Sequence, residues 1–361
     1  MRGPLLKCAI FAICAVLLSA CASTPTAETK RYFWPPLPGE PKIEWIGTYS
    51  SNLGLKTEGP SLFNMIVGEA DSISLVRPIA IAADSKGRAF VTDNESATTY
   101  IFDFKLQDVT TLGGEALVGV VQHLTGVAVD GLDNIYVSDA NSRKVHVVSP
   151  DNRVIKVLDL SKHVSHIGKF TIDKTRNRLI LPDLRENKIV VTDLNGNLLF
   201  SFGKRGGGDG EFHQPQGVSV EKDGTIVVAD SFNARIQRFT PQGEFKSKFG
   251  RRGDSPGDFA IIKGVAVDSE DHIYITDGKL NQFSIFSNNG DFLLNIGGTF
   301  ASTGGAKRDI GGFLLPQGIY IDQNDRIYVV DQLNRRFQVY QYLNDSYRSR
   351  FPLPAMPRDV K

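Results

Sequence analysis

The sequence predicts an all-β chain of six four-stranded antiparallel units, on three observations. A short β-branched run ending in an acid recurs six times: Ala80 to Asp84, Gly126 to Asp130, Lys169 to Asp173, Gly217 to Glu221, Gly264 to Asp268 and Gly318 to Asp322. A second run closes on Asp93, Asp139, Asp183, Asp230, Asp277 and Asp331, nine residues after the first acid in five copies and ten in the third. Successive second acids lie 44 to 54 residues apart, a period at which one supersecondary unit repeats and stacks on its neighbours.

The elements of each unit follow in order. The first two strands, such as those from Gly264 and His272, are β-branched and aromatic, as strands buried on both faces are. Turn residues separate them, for example Asp223-Gly224 and Asp325-Arg326. A third strand opens at Arg235 or Arg336 and ends in a turn such as Asn195-Gly196, Gln242-Gly243 or Asn289-Gly290. Asn-Gly supplies the positive φ angles of a tight hairpin. A fourth strand starts at Leu198, Phe245 or Phe292. Radial repetition of such units leaves only short, protected edges, which is the solution of a six-bladed β-propeller. A ring must also close. The segment from Lys42 to Ser50 is expected to be the outer strand of the sixth blade, with Ser346 to Phe351 as its rival.

At the level of Phe212 to Gly250 the sequence resembles the NHL repeat family, whose fold is a propeller of the NHL/TolB-like type. The resemblance spans about residues 77 to 345. It is strongest in the fourth and sixth copies and weakest in the first and third, where Ala80 and Lys169 replace the repeated glycine. The Gly-His and Trp-Asp signatures of the related WD repeats are missing.

The amino terminus has the pattern of an address. Arg2 and Lys7 precede an apolar run of 13 residues, Cys8 to Ala20, whereas a membrane-spanning helix needs about 20. The run ends in Leu18-Ser19-Ala20-Cys21, which resembles the bacterial lipobox. That resemblance implies a lipoprotein signal peptide over residues 1–20 and a covalent lipid, diacylglycerol with palmitate, on Cys21. No Asp follows Cys21, so the sorting rule implies the outer membrane, facing the periplasm. Residues 21–41 are expected as a Pro-rich tether, 42–345 as the propeller and 346–361 as a tail. The adjacent aromatics Tyr32, Phe33 and Trp34 fit a solvated tether poorly and are candidates to dock on the folded domain or near lipid.

Composition excludes several function classes. Lys and Arg total 41 against 40 for Asp and Glu, which gives no excess charge for tracking nucleic acid. All three cysteines fall at or before Cys21, so the folded part has neither a disulfide nor a cysteine nucleophile. No Gly-x-Ser-x-Gly elbow and no haem attachment motif occur. The glycine-rich stretch from Gly203 to Gly210 joins two strands and recurs near Gly250 and Gly311, so it reads as a blade-connecting loop and not a phosphate cradle. Because they recur in six equivalent copies, the repeated acids are read as structural. They are expected to accept backbone N–H groups and to pair with the base that opens the third strand, as Asp230 with Arg235 and Asp331 with Arg336.

The candidate partner-binding residues are Arg77, His123, His166, His213, Gln216, Lys263 and Gln317, all placed where the chain leads into the innermost strand. Their mixture of donors suits peptide carbonyls, carboxylates or sugars. The expected function is a non-enzymatic, envelope-anchored scaffold that presents a loop face to a protein, peptide or glycan, with no cofactor beyond the lipid. The alternative is a metal-dependent lyase or hydrolase using His123, His166 and His213 at one mouth of the channel. Resemblance weakens that alternative. In the similar peptidylglycine-amidating lyases the metal-binding histidines sit at the start of the inner strand, where this chain has Ile79, Thr125, Gly168, Gln216, Lys263 and Gln317.

Overall fold

The computed structural model describes residues 31–55, 73–298 and 310–354. The chain divides into two units, Met1–Tyr32 and Phe33–Lys361, and the larger one carries the fold. The signal peptide and Cys21 lie outside the described residues.

Six antiparallel sheets surround one axis. Blade one runs outward from Pro78–Ala83 through Arg88–Asp93 and Thr98–Asp103 to Asp108–Thr111. Blades two to five repeat this order from inner strands Leu124–Val129, Thr171–Asp173, Pro215–Val220 and Ile262–Val267. Blade six has inner strand Pro316–Ile321, then Arg326–Asp331 and Arg336–Tyr342. Its outer strand comes from the other end of the chain: Ile43–Tyr49 pairs antiparallel with Arg336–Tyr342. The rival segment is instead a short helix, Asp345–Arg350, capped by the Asn344 side chain.

The stretch expected as a tether is built into this blade at its far end. Phe33 and Trp34 add an edge outside Ile43–Tyr49. Phe33 is buried, and the Trp34 ring meets Tyr340 edge-on at 5.8 Å. An aromatic pair with this much apolar area gains more from packing than from remaining in water.

The core is a ring and not a centre. Six apolar clusters among the described residues each lie between two adjacent blades. The cluster joining blades six and one, for example, sets Phe102 at 5.0 Å from Phe337. The inner strands are buried along most of their length, which explains why they carry valine, isoleucine and alanine without polar alternation.

Both sets of repeated acids are buried and occupied. At one end of the axis, Asp84 accepts the Lys86 and Arg88 amides, and Asp130 accepts those of Leu132 and Asn134, so the first acids cap the tight turns, except Glu221, whose carboxylate pairs with Arg238. At the other end, Asp93 accepts the Val76 and Arg77 amides, Asp183 those of Ser165 and His166, and Asp277 those of Ala260 and Ile261. The second acids thus pin each lead-in loop. The loops also bond to the connection between the second and third strands, as Ala140 N–H to the His123 carbonyl and Phe232 N–H to that of His213. Lead-in loops and these connections therefore share one face, opposite the tight turns.

Candidate functional site

Inner strands do not run straight into the axis. In blades one, two, four and five an extra residue is inserted against the second strand at Ile79, Thr125, Gln216 and Lys263, and blade six shows the same irregularity between Pro316 and Ile319. Such bulges re-aim a side chain and leave the ladder locally unpaired. The residue that follows is small in five blades, and in blades five and six the neck has no room for a side chain there. A Cβ on Gly264 would lie 2.9 Å from the Gln317 carbonyl oxygen, and one on Gly318 would lie 2.9 Å from the Ala80 Cα.

Blade three breaks the pattern. Its inner strand is reduced to Thr171–Asp173, and Lys169 occupies the glycine position. The Lys169 N–H donates to the Gln216 carbonyl at 3.3 Å. Its ammonium Nζ crosses the axis and donates to the Lys263 carbonyl at 3.1 Å and to Gln317 Oε1 at 3.3 Å. Gln317 in turn donates to Gln332 Oε1 at 3.3 Å. Lys169, Gln216, Lys263 and Gln317 therefore form one polar neck across the channel.

The three histidines belong to the loop face above. The His123 and His166 rings stand 6.4 Å apart, while the His213 ring packs edge-on against Phe232 at 5.2 Å. No group of three metal-ligating side chains occurs among the described residues. Burial and the neighbouring His123 both hold His166 below the usual imidazole range, which favours its neutral form.

His166 and His213 line a recess of about 520 Å³ together with Leu184, Arg185, Asn187, Arg205 and Gln214. Asn187 organises its floor: Oδ1 accepts the Gln214 amide at 2.8 Å and Nδ2 donates to the Arg185 carbonyl at 3.0 Å. The guanidinium groups of Arg185 and Arg205 belong to exposed residues, and the lining contains no carboxylate. Such a surface offers forked donors to a carboxylate or a carbonyl-rich chain.

The seven residues singled out in the sequence thus divide. His166 and His213 line the recess with His123 beside them, Gln216, Lys263 and Gln317 surround the neck, and Arg77 lines neither. Arg185, Arg205, Asn187 and Gln214 were not anticipated.

Comparison with known proteins gives the same architecture. A profile of the family described as "6-bladed beta-propeller" matches residues 222–296. The chain is 36% identical over 117 residues to protein lin-41 of Caenorhabditis elegans, covering 28% of this chain and 10% of that one. It is 38% identical over 78 residues to NHL repeat-containing protein 2 of Gallus gallus, covering 20% and 11%. This is a six-bladed propeller with NHL-repeat relatives.

The matched segments span about a tenth of the length of these relatives, so what the chain shares with them is repeat units. Among solved structures, a Bacteroides thetaiotaomicron structural genomics protein of unknown function is similar at TM-score 0.60 and 15% identity, covering 83% of this chain and 75% of that one. An auxiliary nutrient binding protein from the same organism is similar at TM-score 0.55 and 13% identity, covering 75% and 70%. A streptogramin B lyase is similar at TM-score 0.53 and 14% identity, covering 76% and 84%. At these identities the likeness is one of fold, and a fold hosts unrelated functions.

Proposed function

We propose that this propeller is a non-enzymatic binding scaffold, lipid-anchored through Cys21 in a bacterial cell envelope, whose loop face receives a carboxylate-bearing protein, peptide or glycan. The observation that carries the reading is the recess around Arg185 and Arg205, where two exposed guanidinium groups and two imidazoles converge with no acid in the lining. Long loops on a rigid frame are where binding residues concentrate. The second acids, by pinning the lead-in loops, supply that rigidity. An auxiliary nutrient binding protein has a similar fold, so binding is a role this architecture supports.

Chemical crosslinking in envelope extracts tests the loop face, with the full chain compared against the Arg185→Ala/Arg205→Ala double variant. Crosslinks from a partner should map to the recess and fall at least tenfold in the variant at unchanged melting temperature. Crosslinks that map to the tight turns, or that survive the double substitution, overturn the assignment. Anchoring is tested separately: Cys21→Ala should abolish acyl labelling, and labelling that persists refutes lipidation there.

A further inference from the structure

On the far side of the neck from the loop face, the axial channel widens into a cavity of about 420 Å³ bounded by the inner strands and the tight turns. Its volume is that of a small-molecule site. Val127, Ile172, Val218, Val265 and Ile319 supply apolar walls, and Lys169 beside Phe170 forms the inner end. The other basic residues of the lining, Lys174 and Lys222, sit in the turns at the mouth.

The mouth also carries acids, but each of these is already engaged by protein donors. Asp173 pairs with Arg178 at 3.0 Å, Glu221 with Arg238 at 2.6 Å and Asp268 with His272 at 2.9 Å. Asp322 accepts the Asn324 and Arg326 amides, and Asp325 is held by Ser269 and Asn344. Lys169 has no such partner: among the described residues its ammonium bonds only to a carbonyl and an amide oxygen. An ammonium has three donors, so one is unmatched. Lys169 is deep in the molecule yet retains partial exposure, because the surface it shows faces the channel. A cation taken out of water without a counter-ion is costly, and a ligand that brings one recovers that cost.

We propose that the axial cavity binds an apolar monocarboxylate, with its carboxylate on the Lys169 ammonium and its hydrocarbon body along the valine and isoleucine walls. This site lies at the opposite end of the neck from the recess and does not depend on the reading of the loop face. Burial, and secondly Lys263, push the unliganded Lys169 down to about 7, so an arriving carboxylate would draw a proton onto the amine as it binds.

Calorimetric titration of the full chain with octanoate tests the proposal. Saturable one-site binding is expected, weakened at least tenfold in Lys169→Met and at least tenfold weaker for 1-octanol than for octanoate in the wild type. Ser219→Phe, which places a ring in the cavity wall, should also remove binding. Absence of octanoate binding to the wild type, or equal binding to wild type and Lys169→Met, overturns the proposal. If Lys169→Met does not fold, the Ser219→Phe variant decides: undiminished octanoate binding there rules out the cavity as the site, whereas its loss supports it.

Discussion

Asp230 and Arg235 form a buried ion pair, with Arg235 Nε donating to Asp230 Oδ2 at 2.8 Å and the carboxylate fully enclosed. The carboxylate also accepts the His213 amide at 2.7 Å, Asn233 Nδ2 at 2.9 Å and Gln237 Nε2 at 3.2 Å. The guanidinium continues the network by donating to the carbonyls of Gly207, Gly208 and Glu211. One carboxylate thus fixes a lead-in loop, a third strand and, through Arg235, the glycine-rich connection between blades.

Removing one partner leaves the other charge buried and unpaired, which costs about 3–5 kcal/mol. Asp230→Ala is therefore expected to lower unfolding stability by that amount in denaturant titration. Lys248→Ala, which removes the exposed contact to Asp209, should change it by less than about 1 kcal/mol. Similar losses in the two variants would show that the buried network is not a principal restraint.

Ring closure gives a second comparison. A truncation through Ser50 removes Ile43–Tyr49, unpairs the third strand of blade six and exposes the remainder of the cluster around Tyr340 to which Ile43 belongs. Loss of cooperative unfolding, with concentration-dependent association through the bared edge, is the expected result. A truncation through Glu40 keeps that strand but deletes Phe33 and Trp34 from the sheet edge. At about 1.5–3 kcal/mol for a buried large apolar side chain such as Phe33, with less from the half-buried Trp34, it should fold with a measurably lower melting temperature. Equal melting curves for both truncations would refute closure from the amino-terminal side.

The blades were legible in the sequence because each is a run of local antiparallel hairpins, so strand pattern and turn chemistry act within one repeat. The repeated acids were legible for the same reason, since Asp230 and Arg235 meet within five residues of chain. The recess was not. Arg185 and Arg205 come from separate connections, and although Arg205 has a counterpart in Arg252, nothing in their spacing places the two together. The histidines show the converse. Matched positions seven residues before the first acid put His123 near His166, whereas His213 lies eight before its acid and turns to Phe232. Lys169 was visible as the charged exception at a glycine position, but its reach across the axis depends on blades five and six.

The small-residue neck makes a graded prediction. Gly264→Ala sets a methyl against the Gln317 carbonyl at 2.9 Å and Thr276 Oγ1 at 3.0 Å, both held by surrounding bonds. Overpacking of this kind costs about 1–3 kcal/mol. Gly217→Ala meets its nearest atom, the Gly264 Cα, at 3.6 Å, which is ordinary contact, and should leave the melting temperature nearly unchanged. If both substitutions are neutral, the neck is wider than its glycines imply.

The final prediction concerns pH. Lys169 falls to about 7 through burial and, secondly, through the Lys263 ammonium of blade five, whereas an unfolded lysine titrates near 10.5. Gln317 of blade six faces it as a neutral amide, and Gln216 of blade four through a backbone carbonyl, so neither supplies opposing charge. Between these two values the unfolded chain binds the proton that the folded chain has released, so this group makes stability rise with pH from about 7 towards 10.5. Below about 7 the folded state must carry the buried cation and loses that advantage. Lys169→Met removes the group from both states. Its stability should therefore depend less steeply on pH than that of the wild type between about pH 7 and 10, with the largest gain over wild type on the acidic side. Parallel wild-type and Lys169→Met profiles across this range would show that the amine keeps its ordinary affinity for protons inside the channel.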